Sequence, residues 1–478
     1  MARLSHYDKI LALLFVLSLP LVNPWVRGDG VGYYAFGRAL LIQHNLNFEQ
    51  DWLRANPSFR MGRTDAAGNI LPEEYTVTGH IDNHFSVGPA ILWSPFLLAA
   101  HLFVLSYDAL GGHVPPDGFS KPYIVSIGLG TALYGFLSLW LSFRLACKYL
   151  SERYAFLATL GIWFASSLPL YMYFNPSWSH SLSAFIVALF VWYWDRTRDA
   201  RSWTEWILLG AIGGLMIDVY PPNAILLIFP ALESLYTYWK ELARRDLKSF
   251  GREFLQNAAF AVAVVVAFLP TLVAKKIIYG SYFNFGYGES WFLNSPALLK
   301  VLFSADHGLF SWTPTIFLAV IGMWLLRKRD EILGLYSIIA FVAFLYLIGC
   351  YQDWDGLSSF GNRFFVSLTV LFVLGLAGFM DYFARAWNER RTWLVAQAAT
   401  ILLILWNFGL IFQWGTHLIP ARGPISWRQA AYNQVAVVPV RMAGTVTRYI
   451  TRRGQLMGNI EQDDVQRLKS QQQPDGSE

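Results

Sequence analysis

The chain has 478 residues, of which 55% are hydrophobic and 14% are charged, and its mean hydropathy is +0.37. Because soluble domains carry about 25% charged residues, this composition excludes a soluble globular protein and predicts an integral membrane protein. The formal net charge of +5 falls mostly in short loops, so it indicates membrane topology and not nucleic-acid binding. The two cysteines, Cys147 and Cys350, lie in separate apolar regions and predict no disulfide framework.

Apolar segments of crossing length recur as far as residue 413. No small-residue cleavage site follows the first segment, which favours a retained anchor over a removed signal peptide. The segments span residues 10–25, 89–106, 122–143, 155–173, 181–194, 204–217, 224–239, 255–277, 309–326, 333–350, 364–384 and 393–413. We expect an all-α polytopic membrane protein with about 11–12 transmembrane helices and a large first external loop.

The loops after residue 144 alternate in charge. Basic residues fill the loops at 144–153, 196–201, 240–252, 327–329 and 385–391, whereas the intervening loops contain only Lys275, Lys276, Lys300 and Arg363. By the positive-inside rule, the first set of loops is cytoplasmic and the intervening set is external.

The segment 89–106 decides the side of the N-terminus. If it crossed fully, Asp29 would be inside and the N-terminus outside. Because Gly88-Pro89 and Ser94-Pro95 interrupt the segment, we favour a re-entrant or surface-lying segment, which keeps residues 27–121 outside.

Three regions follow from this arrangement. Residues 1–413 form the polytopic transmembrane domain, within which 26–88 is an external loop with juxtamembrane helices. Residues 414–464 form an amphipathic, juxtamembrane C-terminal region on the external side. Residues 465–478 have the polar composition of a disordered tail.

The stretch Arg27-Gly28-Asp29-Gly30 directly follows the first apolar segment. The glycines let the backbone bend and approach a ligand closely, and a carboxylate beside hydrocarbon has a strong local field. Asp29 is therefore our candidate catalytic base for a hydroxyl nucleophile. The alternatives are a local ion pair with Arg27 or a helix N-cap at Asp29.

The anchor, the acidic loop followed by Tyr33 and Tyr34, and the multi-span body resemble the GT-C superfamily of membrane glycosyltransferases. The chain is similar to bacterial protein O-mannosyltransferases and aminoarabinose transferases. Residues 83–89, 306–312 and 360–365 carry further short motifs of this resemblance. In architecture the resemblance covers most of residues 8–413.

The resemblance implies an inverting transferase in the cell inner (plasma) membrane, with its active site on the external face. The donor would be a polyprenyl-phosphate sugar, and the acceptor a hydroxyl of a glycan, lipid or protein. Asp29 matches the acidic residue that deprotonates or orients the acceptor. Many members carry a second acid in the next external loop, but residues 175–180 contain no carboxylate. Either His180 takes that polar role, or Glu289, Asp306 or Asp353 supplies the acid, and we expect no obligatory metal or other cofactor.

Cations on the external side are candidates for binding the donor phosphate. Arg363 is the strongest, because it follows Gly361 and Asn362 and precedes an apolar crossing. For Lys275 and Lys276 we favour snorkelling, with phosphate binding as the alternative. Arg27, beside Asp29, joins the candidates for phosphate binding.

Histidines and aromatic residues complete the predicted site. His80, Asp82 and His84 favour hydrogen bonds to sugar or phosphate over a metal site, with structural hydrogen bonding in the loop as an equal alternative. His307, beside Asp306, has the same alternatives. The predicted acceptor or sugar contacts are Tyr33, Asp82, His180, Asp306, Asp353 and Trp354.

The alternative function is a transporter or flippase of a lipid-linked sugar. Transporters tend to place charges at the bilayer midplane and to contain related halves. Asp218 instead ends a crossing, and we find no related halves. A structural membrane protein would fit the composition but would not explain Asp29 between glycines.

Overall fold

The computed structural model describes residues 4–286 and 291–472, and within this part helices are joined by loops and turns that contain three isolated β-bridges. The α-helices are α1 His6–Ser18, α2 Asp29–Arg38, α3 Glu49–Arg54, α4 Pro57–Arg60, α5 Gly88–Ala109, α6 Lys121–Tyr149, α7 Glu152–Phe164, α8 His180–Thr197, α9 Trp203–Val219, α10 Ile228–Ala243, α11 Leu247–Tyr279, α12 Leu298–Phe303, α13 Leu309–Trp312, α14 Pro314–Leu326, α15 Glu331–Cys350, α16 Thr369–Ala386, α17 Glu389–Gly415, α18 Trp427–Tyr432, α19 Val438–Thr451 and α20 Arg453–Gln472. The predicted all-α architecture is confirmed.

Six of the described helices are long and apolar enough to cross a membrane. They are α5, α6, α11, α15, α16 with the 3₁₀ turn before it, and α17. Shorter helices occupy the other predicted segments, and some continue into 3₁₀ or π turns, as at Leu170–Phe174 and Pro221–Leu227. Cys147 and Cys350 are both free thiols, as predicted.

The loops that we predicted to be cytoplasmic meet at one end of the helix bundle. Asp8 of α1 accepts a hydrogen bond from Trp140 at 2.8 Å and pairs with Arg144 at 3.0 Å. Lys148 and Asp195 pair across α6 and α8 at 2.8 Å. The start of α1 therefore lies beside the basic loops, which agrees with the predicted topology.

Helix α5 corrects one expectation, because it is continuous through Ser94 and Pro95. A proline has no N–H, so the carbonyl of Ile91 lacks its normal partner four residues later. The Ser94 hydroxyl donates to that carbonyl at 2.7 Å. This replacement bond explains why the backbone is not interrupted there.

Helix α5 packs against only the first half of α6. Leu92 O accepts a hydrogen bond from Tyr134, and His101 meets Tyr123, at 2.8 and 2.7 Å. The second half of α6 contacts α8 instead, where Ser138 donates to Ala184 O at 2.9 Å. Because α5 is long and apolar enough to cross, the surface-lying or re-entrant arrangement stays a prediction.

Helix α16 lies at the centre of the bundle and is covered by α6, α7, α8, α14 and α17. A Cβ atom at Gly322 of α14 would lie 1.8 Å from the carbonyl oxygen of Gly375 in α16. Small residues at such contacts let two helix backbones approach closely, as is common in membrane proteins. Arg363 begins the 3₁₀ turn that leads into α16, so the packing of α16 holds the backbone of Arg363 in place.

The C-terminal helix α20 continues to Gln472, whereas we predicted a disordered tail from residue 465. Asp464 pairs with Arg27 at 2.7 Å, and Glu461 accepts hydrogen bonds from Asn56 and Ser58 at 2.8 and 2.7 Å. These long-range contacts stabilise a helix whose polar composition alone predicted disorder. Residues 473–478 lie outside the described residues.

Candidate active site

A cavity of about 1830 Å³ opens at the end of the bundle that carries Asp29. Its walls come from the first long loop, the loops at 175–180 and 351–363, the end of α11 and the C-terminal helices. The predicted site residues that line it are Arg27, Asp29, Tyr33, Asp82, His84, His180, Lys275, Asp353 and Arg363. The fold therefore brings together candidates that are up to 336 positions apart, from Arg27 to Arg363.

Asp29 is the first residue of α2 and contacts Arg363 directly. Its Oδ2 accepts a hydrogen bond from Arg363 Nη1 at 2.7 Å, and the two side chains are 33% and 13% exposed. Gly28, and not Asp29, is the N-cap of α2, while Arg27 pairs with Asp464. Both alternative roles that we predicted for Asp29, local pairing and capping, are therefore wrong.

The glycines beside Asp29 are required by close packing against the loop at 175–180. Gly28 has φ +53°, and a Cβ atom there would lie 3.1 Å from the Trp178 ring. At Gly30, a Cβ atom would lie 2.0 Å from Ser177 Oγ. The indole N–H of Trp178 donates to the Arg27 carbonyl at 3.0 Å, which holds the two loops together.

Arg363 combines burial with a hydrogen-bond donor that has no partner among the described residues. The guanidinium lies over the Trp178 ring, with 4.6 Å from its carbon to the ring centroid. Arg363 Nη1 binds Asp29, whereas Nε is buried without a hydrogen-bond partner in the part of the chain that the structure describes. Asn362, next to it, donates to Trp354 O at 2.9 Å and fixes the loop. The arrangement leaves capacity to bind an anion beside Asp29.

Lys275 and Lys276 have different surroundings. Lys275 is fully buried and donates to the carbonyls of Asn83 and Phe85 at 3.0 and 2.9 Å. The favoured interpretation of Lys275 as a snorkelling residue is therefore wrong, because its ammonium group lies inside the protein. Lys276 is exposed, lies outside the cavity lining and donates to Gly280 O at 2.7 Å at the end of α11.

His80, Asp82 and His84 do not form a cluster with the spacing of metal ligands in the described structure. His84 lines the cavity, and burial lowers its pKa to about 4 although Asp29 opposes the shift. Its imidazole is therefore neutral at physiological pH. Asp82 also lines the cavity and accepts a hydrogen bond from Tyr279, whereas His80 contacts Thr78 at 3.0 Å outside it.

Tyr33 and His180 lie deep in the cavity wall. Tyr33 packs on Phe85 with 4.6 Å between ring centroids, and burial raises the pKa of its hydroxyl. His180 packs on Tyr171 at the same centroid distance, and its Nδ1 is buried without a partner among the described residues.

Six of the predicted residues lie outside the cavity lining or cannot be placed. His80, Lys276, Trp354, Asp306 and His307 are absent from the lining, and His307 Nδ1 instead lies 3.1 Å from the Asp355 carbonyl. Glu289 lies outside the described residues.

The sequence did not identify the cavity residues of the C-terminal region. His417 lies 3.2 Å from Asp464, and both line the cavity with Arg467. Burial raises the pKa of Asp464, but contacts with His417 and Arg27 outweigh it, so the net pKa is lowered. The one available signal was the predicted position of this basic region on the same side as Asp29.

Residues 119–273 match a protein family described as dolichyl-phosphate-mannose-protein mannosyltransferase. The match runs from just before α6 through most of α11 and supports the predicted resemblance to GT-C membrane glycosyltransferases. Asp29 and Arg363 lie outside the matched residues.

Among solved structures, the chain is similar to ArnT from Cupriavidus metallidurans in the apo state. The two are 15% identical with a TM-score of 0.48, over 95% of this chain and 73% of that chain. No curated protein matches this chain.

Proposed function

We propose that this GT-C-like membrane protein is an inverting glycosyltransferase that uses a polyprenyl-phosphate sugar as donor. It transfers the sugar to a hydroxyl acceptor on the external face of the cell inner membrane. The observation that carries this proposal is the 2.7 Å contact between Asp29 and Arg363 in a cavity of about 1830 Å³. Such a transfer needs a carboxylate that receives the acceptor proton beside a cation that binds the departing phosphate.

The geometry at Asp29 supports its role as the base. A carboxylate has about four lone-pair sites, so the hydrogen bond from Arg363 leaves room for an acceptor hydroxyl. The side chain is one-third exposed, which gives the acceptor access from the cavity. Contact with Arg363 fixes the orientation of the carboxylate before the acceptor arrives, which reduces the cost of positioning it.

Arg363 supports the departure of the phosphate. The unpartnered Nε and the remaining guanidinium N–H groups can donate to phosphate oxygens while Nη1 stays on Asp29. Trp178 holds the guanidinium plane in place. A phosphate bound there places the anomeric carbon next to the acceptor that Asp29 binds.

In the proposed reaction, the acceptor oxygen forms a bond to the anomeric carbon from the face opposite the phosphate. The bond between that carbon and the phosphate oxygen breaks, and its electron pair stays on the lipid phosphate. Asp29 receives the hydroxyl proton, and Arg363 offsets the charge of the departing phosphate. Attack from the opposite face inverts the anomeric configuration.

The remaining candidate residues have a structural role or no role in the proposed reaction. Lys275 fixes the backbone of the loop that carries His84 by binding the carbonyls of Asn83 and Phe85. Lys276 has no part, because it lies outside the cavity lining. Apolar side chains of α17 and α19, such as Ile411, Phe412 and Val446, make one wall of the cavity apolar, as the binding of a prenyl chain requires. No metal acts on the reacting atoms in this mechanism.

The test is sugar transfer from a panel of radiolabelled polyprenyl-phosphate sugars by protein in lipid nanodiscs. We compare wild type with Asp29→Asn and with Asp117→Asn, a control whose carboxylate pairs with Arg54 outside the cavity lining. We expect turnover by wild type and the control, and its loss in folded Asp29→Asn. Full turnover by Asp29→Asn would refute the role of the base. Movement of the lipid-linked sugar across the bilayer without transfer would favour a flippase.

A further inference from the structure

Three side chains of the types that bind metals converge behind the cavity. Asp306 and His307 lie in the loop between α12 and α13, and Asp355 lies in the loop that leads to Arg363. One ligand atom of each residue lies within 4.8 Å of the other two. None of the three residues lines the cavity described above. They therefore form a separate cluster that the proposed transfer reaction does not use.

The distances within the cluster are close to those around a single ion. His307 Nδ1 lies 3.7 Å from Asp306 Oδ1 and 3.1 Å from the main-chain oxygen of Asp355. Two ligands that each lie about 2.0–2.2 Å from a zinc ion are separated by roughly 3–3.6 Å. Small side-chain movements would bring the three residues onto one ion, with the Asp355 carbonyl as a further oxygen ligand.

The hydrogen bonding of the cluster is incomplete, which is an independent reason to expect a ligand. The His307 side chain is fully buried, and its Nδ1 is the ring nitrogen that lies beside Asp306 and Asp355. Asp306 Oδ1, which faces His307 Nδ1, is buried and has no hydrogen bond to any described residue. Leaving such groups unsatisfied is costly. An ion held by Asp306 Oδ1 and His307 Nδ1 would satisfy the carboxylate oxygen and would replace the hydrogen bond between His307 Nδ1 and the Asp355 carbonyl.

The set of donor atoms selects the class of ion. One imidazole and two carboxylates suit Zn²⁺ and neighbouring first-row divalent ions. Ca²⁺ prefers about six to eight oxygen ligands, which this cluster does not supply. The ring of Trp312 meets His307 edge to face at 5.0 Å and holds the imidazole in this orientation.

We propose that Asp306, His307 and Asp355 bind a divalent first-row metal ion, with Zn²⁺ as the leading candidate. The ion joins the loop before α13 to the loop that ends at Arg363, so its role is to fix that loop. The site is independent of the proposed transferase activity, because metal binding is measured without any donor or acceptor.

The test measures metal bound to the full chain, purified without an affinity tag and dialysed against a weak chelator. Elemental analysis and titration with Zn²⁺, and separately with Mn²⁺, compare wild type with Asp306→Asn and Asp355→Asn. The control carries Asp108→Asn and His113→Gln, which change an exposed acid and an exposed histidine outside the cluster.

We expect wild type and the control to retain about one ion per chain, and each cluster variant to bind at least about 10–100-fold more weakly. X-ray absorption by zinc-loaded wild type should show one imidazole among oxygen ligands, which also tests the site if a variant fails to fold. Equal affinity in the variants and wild type, no retained or titrated metal in wild type, or two or more imidazoles at the ion would overturn the proposal.

Discussion

Two ion pairs, one at each end of the helix bundle, are built in opposite ways. In the pair between Asp195 and Lys148, at the end with the basic loops, the carboxylate is 2% exposed and the cation 47% exposed. At the cavity, the acid Asp29 is the more exposed partner and the cation Arg363 is nearly buried. The buried Asp195 is accessible only to its protein partners, whereas the more exposed Asp29 lines the cavity and remains available to a substrate.

The remaining hydrogen bonds support the same distinction. Asp195 accepts hydrogen bonds from both Lys148 and Tyr149. Arg363 retains a buried Nε with no partner in the described structure. Native proteins rarely leave buried donors unsatisfied without a functional reason, so the incomplete pair is the one expected to bind a ligand.

The largest expected effect is on turnover at the cavity end. Asp29→Asn should lower turnover per folded molecule by about 10²–10⁴-fold, because a positioned base contributes about that much to a proton transfer. Asp195→Asn, at the other end, should keep wild-type turnover per folded molecule. The measurement is initial rate normalised to folded protein from size-exclusion chromatography. Equal losses of turnover in Asp29→Asn and Asp195→Asn would contradict the assignment of catalysis to the cavity end alone.

A smaller effect is expected for the cation. Arg363→Lys keeps the charge but loses the planar set of donors and the stacking on Trp178. Because a hydrogen bond to a charged group contributes about 1.5–3 kcal/mol, donor affinity should fall roughly 10–100-fold. Binding of a non-hydrolysable polyprenyl-phosphate analogue measures this directly. Unchanged affinity would assign Arg363 to the orientation of Asp29 alone.

At the opposite end, the change should appear in stability and not in catalysis. Asp195→Ala removes the acceptor for Lys148 and Tyr149, and should lower the free energy of unfolding by about 1–3 kcal/mol. The measurement is thermal unfolding in detergent, with the exposed Asp108→Ala as the control. A stable variant with impaired turnover would contradict the structural role of that pair.

The smallest expected effect is on the pH dependence of stability. Burial lowers the pKa of His84 from 6.5 to about 4, so between these values the unfolded chain binds a proton that the folded chain does not. The contribution of neutral His84 to stability is therefore complete above pH 6.5 and is lost as the pH falls toward 4. His84→Gln should show a shallower decrease in unfolding temperature across this range. A decrease as steep as that of wild type would assign the acid sensitivity to other groups.

The sequence predicted the all-α architecture well, because hydrophobic runs are local signals. It also singled out Asp29 and Arg363 separately, but not their contact. Lys275 and Lys276 show why: both violate the charge bias of their side, yet adjacent helical residues point about 100° apart. One faces the core and the other the surface, and only the neighbouring helices decide which.

The C-terminal helix is another feature that local composition could not predict. Residues beyond 464 are polar and have the composition of a disordered segment, but Asp464 and Glu461 fix the helix through contacts with the first loop. Similarly, Pro95 predicted an interruption in α5. The helix is continuous because the Ser94 hydroxyl donates to the Ile91 carbonyl, which Pro95 leaves without an N–H donor. Contacts of these kinds depend on the folded arrangement and leave no periodic signal.

The separation between Asp29 and Arg363 has a consequence for biosynthesis. The two residues are 334 positions apart in the sequence, and translation proceeds at about 5–20 residues per second, so Arg363 is synthesised roughly 20–70 s after Asp29. Trp178, which joins the two loops, appears in between. The ribosome must therefore complete most of the chain before the ion pair can form, and every nascent chain that ends before Arg363 lacks it.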